Sequence, residues 1–178
     1  MQLNPIAVTS KNCKDIDRLE NLAKESFPPL EFVDPIKLIE LEKSEGLCFW
    51  ELYDKDLFVG FMTVISYRDI TYLYYMAIEP SLREKGYGQK ALDVLKELYL
   101  DTHIVVDEEV LDEKAENHEQ RKKRRDFYLH NGFKPTGHFF NYLGIDYELL
   151  CTSDNFDFDT YKQMSYEIEK DGYRSKYY

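Results

Sequence analysis

"YLYYMAIEPSLREKGYGQKALDVL", residues 72–95, decides how this sequence folds. It opens as an aromatic and apolar strand stopped by Pro80. Arg83, Lys85, Gly86 and Gly88 follow and lead straight into an amphipathic helix over 87–100, with Ala91, Leu92, Leu95, Leu98 and Tyr99 at helical spacing. Glycines let a backbone curl close to a ligand. The first N–H groups of a helix have no partner within it and point outward with the helix dipole behind them. The arrangement suits an anion.

Three phosphate-binding patterns compete for this loop. A Walker loop needs GxxxxGK[ST], which is absent. The dinucleotide fingerprint GxGxx[GA] is matched by Gly86, Tyr87, Gly88, Gln89, Lys90 and Ala91, with Asp107 about twenty residues on. Against it, Glu79, Pro80, Ser81, Leu82 and two cations stand between the strand and the glycines, and the further βα units of a dinucleotide sheet are missing. The third pattern, [RQ]xxGx[GA], is met by Arg83, Glu84, Lys85, Gly86, Tyr87 and Gly88. A polar loop with a glycine-eased helix start is the structural alternative to all three.

Upstream, "LNPIAVTS" reads as a strand, 14–26 as a helix with Ile16, Leu19, Leu22 and Ala23 on one face, and "DPIKLIELEKSEG" as a second helix capped by Asp34. "LCFWELYD" and "LFVGFMTVISY" form a hairpin around "DKD", and 70–79 adds a third antiparallel strand. Downstream, "HIVVDEEV" is a strand, and a right-handed crossover makes it the parallel neighbour of 70–79. A long polar helix runs from about Glu113 to Asn131. "FKPTGHFFNYLGIDYELLC" gives two more strands, and a last helix covers about Asp157 to Lys170. The expected fold is α+β: a mixed, mostly antiparallel twisted sheet of about seven strands, flanked by helices, with a C-terminal helical extension.

The 178 residues, 43% hydrophobic and 15% aromatic, suffice for one core, and no linker or repeat divides them. A formal charge of -11 argues against nucleic acid or an anionic membrane as partner and favours a cationic one. Cys13, Cys48 and Cys151 are scattered, with four histidines in the chain, so neither a disulfide framework nor a metal site is expected. With no apolar leader or bilayer-length run, the expectation is a cytoplasmic protein.

Residues 72–95, together with "NHEQRKKRRDFYLHNGF" at 117–133, resemble the acetyl-CoA-binding core of the GCN5-related N-acetyltransferases, the GNAT superfamily. The resemblance covers 46–150 in element order and implies an acetyltransferase domain over 1–150; it does not explain 151–178, which is expected to be a C-terminal extension packed on the same domain. It implies that the backbone of Met76, Ala77 and Ile78 pairs with the pantetheine of acetyl-CoA as an added strand. The N–H groups from Arg83 through Lys85, Gly86, Tyr87 and Gly88 to Gln89 then cradle the pyrophosphate. Tyr128 stands where many members carry the tyrosine that protonates the leaving thiolate. The family's Asn and small residue, seven and four positions before that tyrosine, are replaced by Arg121 and Arg124; Asn117, one turn earlier, is the substitute contact. For the run "RKKRR", 121–125, a solvated helix face, arginines near CoA phosphates and a nucleic-acid patch are three competing readings.

Acetyl transfer to an amine needs the amine neutral, which for a lysine-like group costs roughly 4 to 5 kcal/mol at pH 7. A carboxylate can take that proton, directly or through water. "VVDEEV" supplies Asp107, Glu108 and Glu109; strand alternation puts Asp107 and Glu109 on one face and Glu108 on the other. Glu109, at the strand end where the resemblance places an acid, is favoured, with Glu108 as the alternative. The oxyanion is expected to lean on backbone N–H near Ala77 or Ile78, where the family's strand is bulged.

The leading expectation is therefore direct acetyl transfer from acetyl-CoA to a primary amine, a small cationic amine or a peptide amine, in a ternary complex without a metal. A CoA-binding regulatory protein of the same fold and a nucleotide-dependent oxidoreductase are the alternatives. The last hairpin and 151–178 are free to pair with a second copy, as a homodimer, or to cover the site.

Overall fold

Short left-handed turns set the strand connections. Lys55, with φ 57°, turns β2 (Leu47–Asp54) into β3 (Leu57–Tyr67), so that Asp54 faces Leu57. Leu143 and Gly144, both at positive φ, turn β6 (Lys134–Tyr142) into β7 (Ile145–Cys151), the geometry that matches strand twist. The computed structural model describes residues 2–29, 31–41, 46–168 and 175–178.

These residues fall into two compact units. The first comprises the described residues of Met1–Ser66 and Leu73–Leu100; the second comprises Tyr67–Tyr72 and those of Asp101–Tyr178. In the first, β1 (Asn4–Val8) pairs antiparallel with β2, and β2 with β3, in the order β1-β2-β3-β4. Helices α1 (Ile16–Ser26), α2 (Pro35–Leu41) and α3 (Tyr87–Leu98) complete it. Asp15 caps α1 by accepting from the Arg18 N–H, and Asp34 caps α2 by accepting from the Ile36 N–H. The expected end of that second helix, 42–45, lies outside the described residues. Leu19, Leu22 and Ala23 of α1 and Ala91, Leu92 and Leu95 of α3 are buried, and Phe49 stacks on Phe61.

Strand β4 (Ile70–Ile78) contributes its first three residues to the second unit. There Ile70, Thr71 and Tyr72 run parallel to His103, Ile104 and Val105 of β5 (His103–Glu109), as the crossover argument requires. The order continues β4-β5-β7-β6-β8, antiparallel after β5. β8 (Lys176–Tyr177) is an eighth strand absent from the sequence expectation, because two residues carry no alternation to read. α5 (Phe158–Ile168) buries Tyr161 and Met164, and Tyr161 meets Tyr72 edge to face; residues 169–170 of its expected span lie outside the described residues. The fold is thus mixed α+β, mostly antiparallel, with five α-helices among the described residues.

The polar helix is shorter than expected. α4 spans His118–His130 instead of starting at Glu113. Asp112 takes the preceding residues into turns: its carbonyl accepts from the Ala115 N–H and its carboxylate from the Lys114 N–H, at 3.0 and 2.9 Å. Asn117 becomes the cap residue of α4 and lies outside the helix.

Candidate functional site

In the first unit, the end of β4, a single 3-10 turn (Pro80–Leu82) and the start of α3 form the loop. Gly86 caps α3 in the left-handed region, φ 83°, and a Cβ there would meet nothing within 4 Å, so the glycine serves backbone conformation and leaves open space. The first helical bond runs from the Lys90 N–H to the Gly86 carbonyl at 3.2 Å. The N–H groups of Tyr87, Gly88 and Gln89 precede it and have no acceptor within the helix. Both loop cations brace the turn: Arg83 Nε donates to the Ile78 carbonyl at 2.9 Å and its Nη2 to Ser26 Oγ at 3.1 Å, while Lys85 Nζ donates to the Ser81 carbonyl at 2.7 Å. The Tyr87 hydroxyl donates to Asp54, fastening the helix start to the β2–β3 turn.

Met76 and Ile78 are half-buried and Ala77 is buried. Beside them β3 comes close: a Cβ on Gly60 would stand 2.0 Å from the Ala77 carbonyl oxygen. The register between β2 and β3 shifts here, with Leu52 opposite Gly60 and Tyr53 opposite Phe58. The extra residue, Val59, accepts from the Glu79 N–H at 2.9 Å.

The first unit also holds a cavity of about 310 Å³ lined by Asp15, Asp17, Arg18, Asn21, Leu22, Glu25 and Glu79. Arg18 partly neutralises it, donating to Glu79 at 3.1 Å.

The second unit gathers the proposed acid–base residues. Glu109, 8% exposed, receives Arg121 at 2.9 Å, Arg124 at 3.4 Å and the Asn117 amide at 3.0 and 3.2 Å. Arg121 also donates to the Val110 carbonyl and to Asn117 Oδ1. Glu108, 2% exposed, receives Arg125 at 2.5 Å, and the same nitrogen reaches Glu148 at 2.7 Å. Alternation along β5 does not separate the two glutamates as expected. Glu109 is the last residue of the strand and meets the early turns of α4, Glu108 meets its middle, and long guanidinium stems let one helix serve both. Asp107 instead accepts from the Tyr72 hydroxyl.

The basic run is therefore split. Lys122 and Lys123 are exposed, whereas Arg121, Arg124 and Arg125 are counter-ions of buried carboxylates. Asn117 and Arg121, expected near the cofactor, are engaged with Glu109. Burial pushes the Glu108 carboxyl up to about 7, outweighing the pull of Arg125. Tyr128 packs its ring on Phe127 and Phe133, and burial pushes its hydroxyl up to about 12. Sequence reasoning missed Arg125 and Glu148. The signals were present: Arg121, Arg124 and Arg125 share a helix face by spacing, and Glu148 is a lone acid among Tyr147, Leu149 and Leu150.

Among the described residues, no group of three or more His, Cys, Asp and Glu side chains is placed to hold a metal ion, and no helix is long and apolar enough to cross a membrane.

The sequence profile of the acetyltransferase (GNAT) domain matches residues 45–135. The chain belongs to the GNAT acetyltransferase family. No curated protein matches it by sequence. Among solved structures, a GNAT-family protein from Bacteroides thetaiotaomicron superposes with TM-score 0.73 at 24% identity, covering 94% of this chain and 97% of that one. An aminoglycoside 6'-N-acetyltransferase complexed with coenzyme A gives 0.67 at 18% identity, with 86% and 98% covered. A chimeric spermidine N-acetyltransferase built in part from Vibrio cholerae gives 0.66 at 16%, with 86% and 96% covered. At these identities the likeness is one of fold.

Proposed function

We propose that the chain transfers an acetyl group from acetyl-CoA to a cationic primary amine by direct attack. The observation that carries this reading is the start of α3: three outward N–H groups behind a left-handed Gly86, on the strand–loop–helix segment of a GNAT chain. Acetyl-CoA fits there through its pyrophosphate, with Arg83 and Lys85 supplying positive charge while bracing the turn, and the backbone of Met76, Ala77 and Ile78 running beside the pantetheine. The coenzyme A bound to the aminoglycoside acetyltransferase supports the choice of cofactor.

The residues of the second unit manage protons. Glu108 or Glu109 takes the proton of the incoming ammonium, directly or through water. Glu108 is the better placed of the two, since its Oε2 has no hydrogen-bond partner among the described residues while Glu109 is engaged on both oxygens. Tyr128 donates its hydroxyl proton to the departing sulfur. An amine substrate is supported by the acidity of the chain and by the aminoglycoside and spermidine substrates in the names of the two structural neighbours.

A screen of polyamines, aminoglycosides, amino acids and peptide N-termini, with CoA release as readout, tests the proposal. Release that depends on a cationic amine is expected. Tight acetyl-CoA binding without release for any amine would favour the regulatory alternative.

A further inference from the structure

Glu148 is an acid inside an apolar strand. Tyr147, Leu149, Leu150 and Cys151 around it are buried, and Glu148 itself is 8% exposed. In the β5–β7 ladder it stands directly opposite Glu108. One nitrogen, Arg125 Nη1, reaches Glu108 Oε1 and Glu148 Oε2, and Glu108 Oε2 is buried with no partner. Two carboxylates thus share one cationic nitrogen away from water. The second negative charge lacks a counter-charge of its own, and a proton on the pair relieves both the repulsion and the unpartnered oxygen.

We propose that Glu148 and Arg125 are positioning residues for the acetyl transfer: with Glu108 they form one unit whose two carboxylates take up a single proton between them, and that proton is the amine's, accepted by Glu108 as a member of the pair. The inference rests on the acetyl-transfer reading. In the step, the N–H bond of the ammonium breaks, its electron pair stays on nitrogen, and the proton forms an O–H bond on Glu108. The pair passes from two negative charges to one. The freed nitrogen lone pair is then available to attack the thioester carbon.

The charges around Glu108 come from three elements. Helix α4 presents Arg121, Arg124, Arg125 and Tyr128, β7 presents Glu148, and Asp107 and Glu109 are its neighbours on β5. Burial is the largest influence on its carboxyl and raises it; Arg125, and less strongly Arg124, pull it down, and Glu148 pushes it up.

The test is a carbon-13 NMR titration of the full chain labelled at glutamate carboxyls, with the near-neutral step assigned by its loss in Glu108→Gln. Alongside it, the acid limb of kcat/KM is measured on an acetylated amine. Glu148→Gln removes a like charge with little change of shape, so the step should fall by about one pH unit. Arg125→Gln should raise it, with Arg125→Lys partly restoring the wild-type position, and the kinetic limb should move with the step in each variant. A step unmoved in Glu148→Gln overturns the shared-proton unit, even with amine acetylation intact. A step that shifts while the kinetic limb stays fixed overturns its role in the transfer. A shifted step in a protein that acetylates no amine supports the pair and contradicts the acetyl-transfer reading.

Discussion

With its hydroxyl raised to about 12, Tyr128 keeps its proton across the physiological range, as the proposed general acid must. Tyr128→Phe keeps the ring contacts with Phe127 and Phe133 and removes the hydroxyl alone. We expect kcat to fall at least about tenfold, with the melting temperature and acetyl-CoA affinity held; an unchanged kcat with chemistry rate-limiting would return Tyr128 to a packing role. Glu108 makes a second prediction, about stability. Its carboxyl holds a proton more tightly in the folded chain, at about 7, than at the ordinary 4.5. The stability this contributes is complete below 4.5, drains as pH rises, and is lost above 7. It amounts to at most about 3 kcal/mol. Glu108→Gln should therefore raise the melting temperature relative to wild type more at pH 8.5 than at pH 5, and the same difference at both pH values would contradict the assignment. Tyr128 and Glu108 can be named as candidates from the sequence, through the resemblance and the acid-rich strand end. Glu148 was not weighed, because its partner on β5 is fixed by a register that only the ladder reveals.

At the scale of elements, α4 and the β3–β4 approach are the informative cases. No residue of α4 is fully buried, and arginines join it to β5 and β7. That is why its polar sequence reads equally well as a solvated face: periodicity shows a charged stripe but not the carboxylates opposite it. The loop before α3 was legible because glycine marks a backbone conformation directly, and Gly86 adopts the left-handed one. Gly60 was not singled out, since a glycine inside a strand is ambiguous until its neighbour is known. Gly60→Ala should lower stability by about 2 to 4 kcal/mol in urea unfolding, because the new Cβ would press on the Ala77 carbonyl from 2.0 Å and force β3 and β4 apart. An unchanged midpoint would show that the approach is looser than described.

At the scale of the molecule, the element order up to β7 was legible from alternation, helical spacing and turn residues. What followed was only partly so: α5 was expected, but β8 holds its place by pairing Phe140 with Tyr177 and Asn141 with Lys176, and nothing in two residues signals that in advance. The whole chain, at -11, repels a polyanion such as acetyl-CoA, so the binding proposed here rests on a local cradle, the outward N–H groups with Arg83 and Lys85 beside them, and not on the overall field. Calorimetric titration of acetyl-CoA into the wild-type chain, Gly88→Val and Glu84→Ala is the most direct test of that claim. The wild type and Glu84→Ala should bind with similar affinity, and Gly88→Val, which sets a branched side chain among the outward N–H groups, should bind at least about a hundredfold more weakly, near 2.7 kcal/mol. No binding to the wild type, or equal affinity in all three proteins, would contradict it.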